Sequence, residues 1–391
     1  MMRVAFFHDA RLKVDKQNIY YTDGGLTSGL FRKYLELCDS LIVVTRKESI
    51  DSKIAASRSI SSCAGVTFNC LKRLNLKSLI LGEDRILIND TVTKTDFAII
   101  RMPSIIGIFA YLECRRQHKP YLIEMVGCPW DSLWYYGKIK YKFAAPILYL
   151  VNRYIVWTAP YVRYVSAKFL QSRYPTKGRQ CACSDVQLNI FEQSVVDKRI
   201  ALIRKTNGMK VAIGTVAPLH VSYKGQRYVI EAMGQLSKQG YDIDYYLVGG
   251  GDATKLINLA KKLGLSDKVH FMGLLPHDKV FKFMQGIDLY IQPSNAEVIA
   301  RVILEAFSVA CPVVGSSSGG TPELIDRQYV FVRKNVKDLE EKIKKIVGGN
   351  LESQAKRNYL EANKYNPGLL DARMYSFYSQ AIARETRGRI V

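Results

Sequence analysis

The chain has no hydrophobic run long enough to cross a lipid bilayer. Its longest apolar stretch, from Phe143 to Val151, is closed by Asn152 and Arg153, whereas a membrane-spanning helix needs roughly 20 apolar residues. The N-terminus lacks a charged region followed by a long apolar segment, so no secretory signal is predicted. We therefore expect a cytoplasmic protein, with any membrane contact peripheral and on the inner face of the cell membrane.

The usual patterns of metal and dinucleotide sites are missing as well. The eight cysteines include no CxxC pair, so no zinc site is predicted, and free thiols suit the cytoplasm. Three glycines at 249–251 do not complete a GxGxxG fingerprint. Asp242 and Asp244 form a DxD pattern ahead of a predicted strand, and we interpret them as solvated carboxylates rather than metal ligands.

Acidic residues are scarce relative to basic ones. The chain has 57 Lys and Arg against 35 Asp and Glu, a net charge of +22, and residues 101–200 hold 15 basic and 6 acidic side chains. Such a surface attracts nucleic acid, anionic lipid or phosphorylated substrates. Charge alone does not distinguish these partners, and an ordinary soluble protein with a basic isoelectric point is an equally good interpretation.

Short apolar runs alternate with helical patterns along the whole chain. In the first half, continuous runs of Val, Ile and Leu predict buried parallel strands, and a helix is predicted at Ser28–Leu37. A polar stretch at 192–207 precedes a new strand pattern from Met209, which divides the chain into residues 1–200 and 201–367. The predicted strands of the first half are Arg3–Phe7, Leu41–Thr45, Phe97–Arg101, Tyr121–Val126 and Tyr161–Ser166.

The second half alternates strands and helices regularly. This order predicts an α/β fold with a doubly wound parallel sheet and a ligand at the carboxyl ends of its strands. The predicted strands are Val211–Gly214, Asp244–Val248, Val269–Met272, Leu289–Gln292 and Pro312–Gly315. The predicted helices are Lys224–Lys238, Thr254–Leu263 with Thr254 as N-cap, Lys279–Met284, Val302–Val309, Leu351–Lys364 and Gly368–Ala383.

The segment Gln292–Ile325 carries the most chemistry. Its pattern predicts a strand, a loop with Glu297, a helix with Glu305, a second strand and a Gly-rich loop. Backbone N–H groups near Val302, at the helix start, form a natural phosphate site. Carboxylates accept pairs of hydrogen bonds well and so suit sugar and ribose hydroxyls. Taken alone, the two glutamates would more simply be solvated charges.

This segment resembles the signature of retaining glycosyltransferases of family 4, which have the GT-B fold. The matching residues are the two glutamates, Arg301, Pro312-Val313-Val314, Gly319-Gly320 and Pro322-Glu323-Leu324. The resemblance is strong over 209–332 and weaker over 1–190. It implies two Rossmann-like domains with an interdomain cleft, the acceptor on the first domain and the donor on the second. It also implies that residues 368–391 form a helix that crosses back to the first domain.

The resemblance assigns roles to particular residues. Glu297 would orient the donor sugar and Glu305 its ribose, while Lys224 and the start of the helix at Arg301 and Val302 would hold the diphosphate. Glu297 and Lys224 are therefore the catalytic candidates. Further donor contacts are assigned to Gly24, Gly25, Thr215, Gly273 and Leu274. Thr215 stands where the family has an arginine, and Arg227 or Arg301 would supply that positive charge instead.

Three positions depart from the family around the sugar and the acceptor. Val298 replaces the usual glycine, Ala300 the usual proline, and Val126 the usual histidine. His8 and Asp131 are the candidates for the acceptor side, with Glu124 as a further polar candidate, although strand-end polar residues more often serve structure.

The expected activity is retaining transfer of a sugar from a nucleotide-sugar, with UDP favoured, to a glycan or lipid-linked glycan of a bacterial surface polysaccharide. The resemblance implies no metal and no cofactor besides the donor, and we expect no nucleic acid partner. Two other classes stay open: a GT-B enzyme of another kind, such as a phosphorylase or epimerase, and a GT-B scaffold that has lost catalysis and binds a membrane or nucleic acid.

Overall fold

The structure, a computed structural model, describes residues 2–51, 58–71, 76–135, 139–186, 188, 192–206 and 210–387. The strand restart expected at Met209 and the last four residues lie outside this part of the chain. Two parallel sheets, one from each half, carry helices on their faces and meet at a cleft, which confirms the predicted doubly wound α/β architecture.

Seven parallel strands of the first sheet lie in the order β5-β3-β1-β6-β7-β8-β9. Two short strands, β2 and β4, extend it in antiparallel pairing beside the end of β1. The bounds are β1 Arg3–Val14, β2 Tyr20–Thr22, β3 Ser40–Ser49, β4 Ser59–Ile60, β5 Val66–Leu71, β6 Phe97–Met102, β7 Tyr121–Met125, β8 Tyr161–Tyr164 and β9 Arg179–Ala182.

The central strands explain the continuous apolar runs. Every residue of β6, β7 and β8 is buried, because helices cover both faces of this sheet. Strand β1 is longer than predicted, since a break in its register between Phe7 and Arg11 is followed by renewed pairing with β3 as far as Val14. Such a bulge re-aims the side chains within it.

Helices of the first half cover the sheet on both sides. Their bounds are α1 Ser28–Leu35, α2 Leu76–Leu81, α3 Glu83–Lys94, α4 Ile105–Arg116, α5 Pro129–Trp134, α6 Ile139–Thr158, α7 Phe169–Arg173 and α8 Ser194–Thr206. Within the described residues, none of the protein's helices combines the length and apolar content needed to span a bilayer.

The second sheet has six parallel strands in the order β12-β11-β10-β13-β14-β15. The order reverses between β10 and β13, and ligands of such sheets bind outside the carboxyl ends of the strands at that point. The strands are β10 Val211–Val216, β11 Ile243–Val248, β12 Val269–Gly273, β13 Leu289–Gln292, β14 Val313–Ser316 and β15 Val330–Phe331. The helices are α9 Gln226–Ser237, α10 Thr254–Lys262, α11 His277–Gly286, α12 Arg301–Ser308, α13 Thr321–Leu324, α14 Val336–Val347, α15 Leu351–Asn363 and α16 Pro367–Arg387.

Two predicted helix starts in the second half are wrong. Lys224 ends a 3-10 turn, Ser222–Lys224, and α9 begins only after Gly225. Gly225 has a left-handed φ of 78°, and a Cβ there would lie 2.0 Å from the carbonyl oxygen of Pro293. The position therefore requires glycine, and its left-handed conformation separates the 3-10 turn from the helix. Thr254 is the first residue of α10 and not its N-cap; its N–H donates to the carboxylate of Asp252 at 2.9 Å.

The interpretation of Asp244 as a solvated carboxylate is also wrong. It is buried in β11, where Lys210 lies 2.7 Å and His270 3.0 Å from its two carboxylate oxygens. Asp242, beside it, pairs with Lys268 at 2.6 Å. Both carboxylates therefore stabilise the end of the sheet that faces away from the carboxyl ends of its strands.

The last helix, α16, lies against the first sheet. Leu370, Met374 and Tyr378 are buried in the same core as α1 and one face of strands β1, β3 and β6. Asp371 forms an ion pair with Lys33, and other polar contacts join the helix to β7 and β9. The chain thus returns from the second half to pack on the first.

Candidate active site

Three adjoining cavities lie in the cleft and are lined by both domains. The central cavity, of about 370 Å³, contains His8, Gly25 and Arg301. The Glu297 cavity, of about 290 Å³, adjoins it at Val298. The Glu305 cavity, of about 220 Å³, shares Gly25 and Arg301 with the central one. The cleft therefore forms one continuous groove about the loop that precedes α12.

The Glu297 cavity holds a lysine and a carboxylate in contact. The Lys224 ammonium lies 2.7 Å from Oε1 of Glu297, and the Gln292 side-chain amide donates to the same oxygen at 3.0 Å. Asp131 and Tyr135 of the first domain form the opposite wall. Both sequence-predicted catalytic candidates therefore lie in one cavity, open to a ligand that bridges the domains.

A pair of glycines fixes the loop that carries Glu297. A Cβ at Gly319 would lie 1.4 Å from the carbonyl oxygen of Glu297, and one at Gly320 would lie 2.2 Å from that of Val298. The Gly320 N–H donates to the same Val298 oxygen at 2.9 Å. The Gly-Gly motif therefore allows one backbone to approach another closely and so positions the Glu297 carboxylate.

The Glu305 cavity brings the second carboxylate opposite the first glycine loop. Glu305 lies in α12 and pairs with His277, at the start of α11, across 3.3 Å. Gly24 and Gly25 form the facing wall, and Arg301 reaches between the two domains. Val302, the second residue of α12, is half-buried beside this arginine.

Arg301 is an exposed cation at the border between the two domains. Its side chain retains 55% exposure and lies 3.5 Å from Asp185 of the first domain. Asp185 is in turn 3.6 Å from the guanidinium of Arg101. Arg227, the other replacement considered for the family arginine, pairs with Glu231 along α9, away from these cavities.

His8 faces the central cavity from the bulge in β1. Its Nδ1 accepts the Ala10 N–H at 3.0 Å. Burial, and next the nearby Arg101 guanidinium, lower the pKa of His8 to about 4. The ring is therefore neutral at pH 7, and with Nδ1 accepting, its remaining proton is assigned to Nε2, which can donate to a ligand hydroxyl.

Asp131 lies in the first turn of α5 and lines the Glu297 cavity. It is largely buried and pairs with Arg173 at 3.1 Å. This ion pair holds the carboxylate at the first-domain wall of the cavity that Lys224 also lines.

Four of the sequence-assigned donor residues do not line the three cleft cavities: Thr215, Gly273, Leu274 and Val302. Thr215 is fully buried within β10, where its hydroxyl donates to Ile291 O at 2.7 Å and accepts from Tyr245, so it does not contact a donor diphosphate. Gly273 and Leu274 line none of the cleft cavities formed by the described residues. Leu274 is 80% exposed and packs beside Gly250 instead.

Glu124 serves the core of the first domain rather than the acceptor. It is fully buried, 2.6 Å from Arg101 and 3.6 Å from Arg163, and accepts hydrogen bonds from the hydroxyls of Tyr34 and Tyr378. Burial raises its pKa, but the two arginines outweigh burial and lower the pKa to about 2. The carboxylate therefore stays ionised and joins α1 and α16 to the sheet.

The cleft contains residues that the sequence did not indicate. Asp185 follows β9 and has no motif around it, and Tyr135 follows α5 in the first domain. His277 could have been considered from the sequence, since it is one of only five histidines and begins the helix four residues after the end of β12.

The chain is similar to known glycosyltransferases. A family model described as "Glycosyl transferases group 1" matches residues 206–366. The chain is 29% identical over 370 residues to protein CapJ of Staphylococcus aureus, covering 93% of this chain and 90% of that protein. It is 29% identical over 152 residues to the amylovoran biosynthesis glycosyltransferase AmsK of Erwinia amylovora, covering 37% of each chain.

Solved structures agree with the fold. Sucrose-phosphate synthase from Thermosynechococcus elongatus superposes with a TM-score of 0.70 at 15% identity, covering 98% of this chain and all of that one. Anabaena HepE in complex with UDP gives a TM-score of 0.68 at 16% identity, covering 97% and 100%. At these identities the likeness concerns the fold alone, which is GT-B.

Proposed function

We propose that this glycosyltransferase, whose residues 206–366 match the model of the glycosyl transferases group 1 family, transfers a sugar with retention from a UDP-sugar to a lipid-linked glycan. We further propose that the product is a bacterial surface polysaccharide, such as capsule, O-antigen or exopolysaccharide. AmsK is named for amylovoran biosynthesis, and WcaL of Salmonella typhimurium, 31% identical over 129 residues covering 31% of this chain and 32% of that protein, for colanic acid. The structure of HepE with UDP supports the choice of nucleotide.

The observation that best supports this function is the position of two carboxylates in cavities of the same cleft. Glu297 and Glu305 lie on either side of Arg301, at the carboxyl ends of a doubly wound sheet. Glu305 would accept the ribose hydroxyls of the donor, and Glu297 would accept hydroxyls of its sugar. A nucleotide-sugar laid along the groove would place its diphosphate between them.

Two cations would stabilise the leaving diphosphate. Lys224 borders the sugar end, and Arg301 reaches the middle of the groove from the start of α12. Negative charge that develops on the diphosphate is stabilised most where donors are already in place and water is excluded. The proposed chemistry therefore takes its positive charge from the protein, with no metal ion and no cofactor besides the donor.

The acceptor would enter from the first domain. Asp131 faces the Glu297 cavity, and neutral His8 faces the central one. These two side chains offer one hydrogen-bond acceptor and one donor for an acceptor hydroxyl. A lipid-linked acceptor would hold the enzyme at the inner face of the cell membrane.

Donor binding can be measured by thermal stabilisation with UDP-, GDP-, ADP- and TDP-sugars. We expect a UDP-sugar to raise the melting temperature of the wild type, and Glu305→Ala to lose that shift. Glu341→Ala, which removes an exposed glutamate of α14 that lines none of the three cleft cavities, should keep it. Stabilisation by another nucleotide would correct the donor. No stabilisation by any donor would favour a scaffold that binds membrane or nucleic acid through its charge.

Retention is tested on the product itself. Proton NMR of the newly formed glycosidic linkage should show the anomeric configuration of the donor. An inverted linkage would overturn the proposed stereochemistry while leaving donor binding intact.

A further inference from the structure

Helix α6 presents an apolar stripe to solvent. Its members are between 40% and 75% exposed although they are large and hydrophobic. The stripe consists of Ile139, Phe143, Ile147, Leu150, Tyr154 and Trp157. Monomeric soluble proteins rarely expose a contiguous apolar surface of this kind without a binding role.

The spacing shows that the stripe is one face of the helix. Successive members are separated by four, four, three, four and three residues. At about 100° per residue, all six lie within roughly 80° of arc, along about 27 Å of helix axis. The opposite side of α6, with Ala145, Ile155 and Val156, is buried in the core of the first domain. The helix therefore lies flat on the protein with a second apolar face outward.

Aromatic and basic residues mark the two ends of the stripe. Trp134 stands before it, 39% exposed, with the Lys142 ammonium 5.6 Å from its ring centroid. Trp157 closes it, with the Lys177 ammonium 4.9 Å from its ring centroid. Tryptophan and lysine at the borders of an apolar surface are typical of the interface between lipid headgroups and acyl chains.

The charge of the surrounding sequence has a single sign. Residues 132–184 contain nine Lys and Arg and no Asp or Glu. One of the nine, Arg163, is buried, and Lys142, Lys168 and Arg173 are among those at least partly exposed. A protein partner of ordinary composition would leave this charge unmatched, whereas an anionic lipid surface attracts each such residue by roughly 1 kcal/mol.

We propose that the stripe on α6 docks the protein on an anionic lipid bilayer, with the apolar side chains among the acyl chains and the basic residues at the headgroups. The stripe adjoins the site: Asp131, Ser132 and Tyr135, which line the Glu297 cavity, immediately surround Trp134 in sequence. Docking would bring this cavity to the membrane surface. That last step rests on the proposed lipid-linked acceptor; the docking itself does not.

Vesicle co-sedimentation tests the docking without donor or acceptor, so its result is separable from that of sugar transfer. We expect the wild type to bind vesicles with about one-third phosphatidylglycerol and to bind pure phosphatidylcholine far less. Raising NaCl from about 0.1 M to about 0.5 M should weaken the binding, because salt screens the basic residues.

A matched pair of double variants tests the location. Phe143→Ser with Leu150→Ser removes two stripe residues that are 75% and 62% exposed, while Ile86→Ser with Leu360→Ser removes two that are 66% and 64% exposed elsewhere. The first double variant should bind anionic vesicles at least about tenfold more weakly, from the apolar burial lost, and the second should bind as the wild type does. Both should keep the donor-induced thermal shift of the wild type, whatever its size, which shows an intact fold.

Three results would overturn the proposal. The first is absence of wild-type binding to anionic vesicles, and the second is an equal loss in both double variants. The third is self-association in sedimentation analysis that the stripe variant alone abolishes, because the stripe would then be an interface between copies of the chain.

Discussion

Glu323 joins the two domains through a single carboxylate, and its removal should open the cleft. The residue lies on the short helix α13 of the second domain. It accepts backbone N–H groups of the first domain from Ala167 at 2.8 Å and Lys168 at 3.0 Å, and a third from Phe169. These donors begin the turn that leads into α7, so no other group of the same helix satisfies them.

The size of the effect follows from these contacts. Hydrogen bonds to a charged group contribute about 1.5–3 kcal/mol each, and less when they are partly exposed, as here. Taking about 2 kcal/mol for the three together, Glu323→Ala would shift the balance between closed and open domains by roughly 30-fold. Glu323→Gln keeps one acceptor oxygen and loses the charge, so its shift should be smaller.

Small-angle scattering and donor titration together measure this shift. We expect a larger radius of gyration and weaker donor binding in Glu323→Ala, an intermediate result in Glu323→Gln, and wild-type values in Glu341→Ala, which changes an exposed residue of α14. A rise in the radius of gyration without weaker donor binding would show that closure does not assemble the donor site. Unchanged values for both Glu323 variants would refute the reasoning.

Other perturbations separate stability from site geometry. Glu124→Gln removes the carboxylate between two buried arginines and leaves Arg101 with Asp185 at 3.6 Å. It should lower the free energy of unfolding by about 3–5 kcal/mol in urea titration, whereas Glu36→Gln, at an exposed position, should change it little. Because the folded pKa of Glu124 is lowered to about 2 from an ordinary 4.5, its contribution is fully present above pH 4.5. It should fall by up to about 3 kcal/mol as the pH drops toward 2; acid unfolding that follows the same curve in Glu124→Gln would contradict this. Gly320→Ala places a Cβ 2.2 Å from the carbonyl of Val298 and should cost about 1–3 kcal/mol and weaken donor binding. Gly286→Ala, where nothing lies within 4 Å of the added atom, should do neither, and equal effects of the two would exclude the close approach as the cause.

Much of the fold could be predicted because the strands are uniformly apolar and the loops between them are short. Helix α6 could not, since both of its faces are apolar and Pro146 interrupts the pattern. A 3.6-residue period is visible only when polar residues mark the other face of a helix. Because both faces of the helix are apolar, its period was not visible in the sequence, and the face that does not pack on the core forms the exposed stripe.

Whether a site residue could be predicted also depends on whether nearby or distant parts of the chain set its position. The positions of Glu297 and Glu305 in the cleft could be predicted because one loop and one helix set them. Asp185 comes to the cleft only through the order of strands in the first sheet, which no nearby motif indicates. Thr215 was misplaced because β10 continues to Val216, which keeps the threonine among the sheet's own hydrogen bonds.

Two of the departures from the family pattern, Ala300 and Val298, cause little backbone strain. Ala300, in place of proline, keeps a φ of −76°, which a proline would also adopt. Val298, in place of glycine, is not among the described residues with positive φ, so the loop makes its turn without the left-handed conformation that favours glycine. The Gly319-Gly320 pair supplies the close approach instead.

Two of the positions that depart from the family pattern line the same cavity, so their effects are linked. Val298 of the second domain and Val126 of the first both line the central cavity, and both pack against the apolar core of the first domain. Where the family has a glycine and a histidine, this cleft has two branched apolar side chains facing one space from opposite domains. They make this part of the cavity wall apolar, while Arg301 beside them remains 55% exposed. Restoring the histidine alone would place a polar ring against Val298, so the two positions should change together, and the effects of altering them should not be additive.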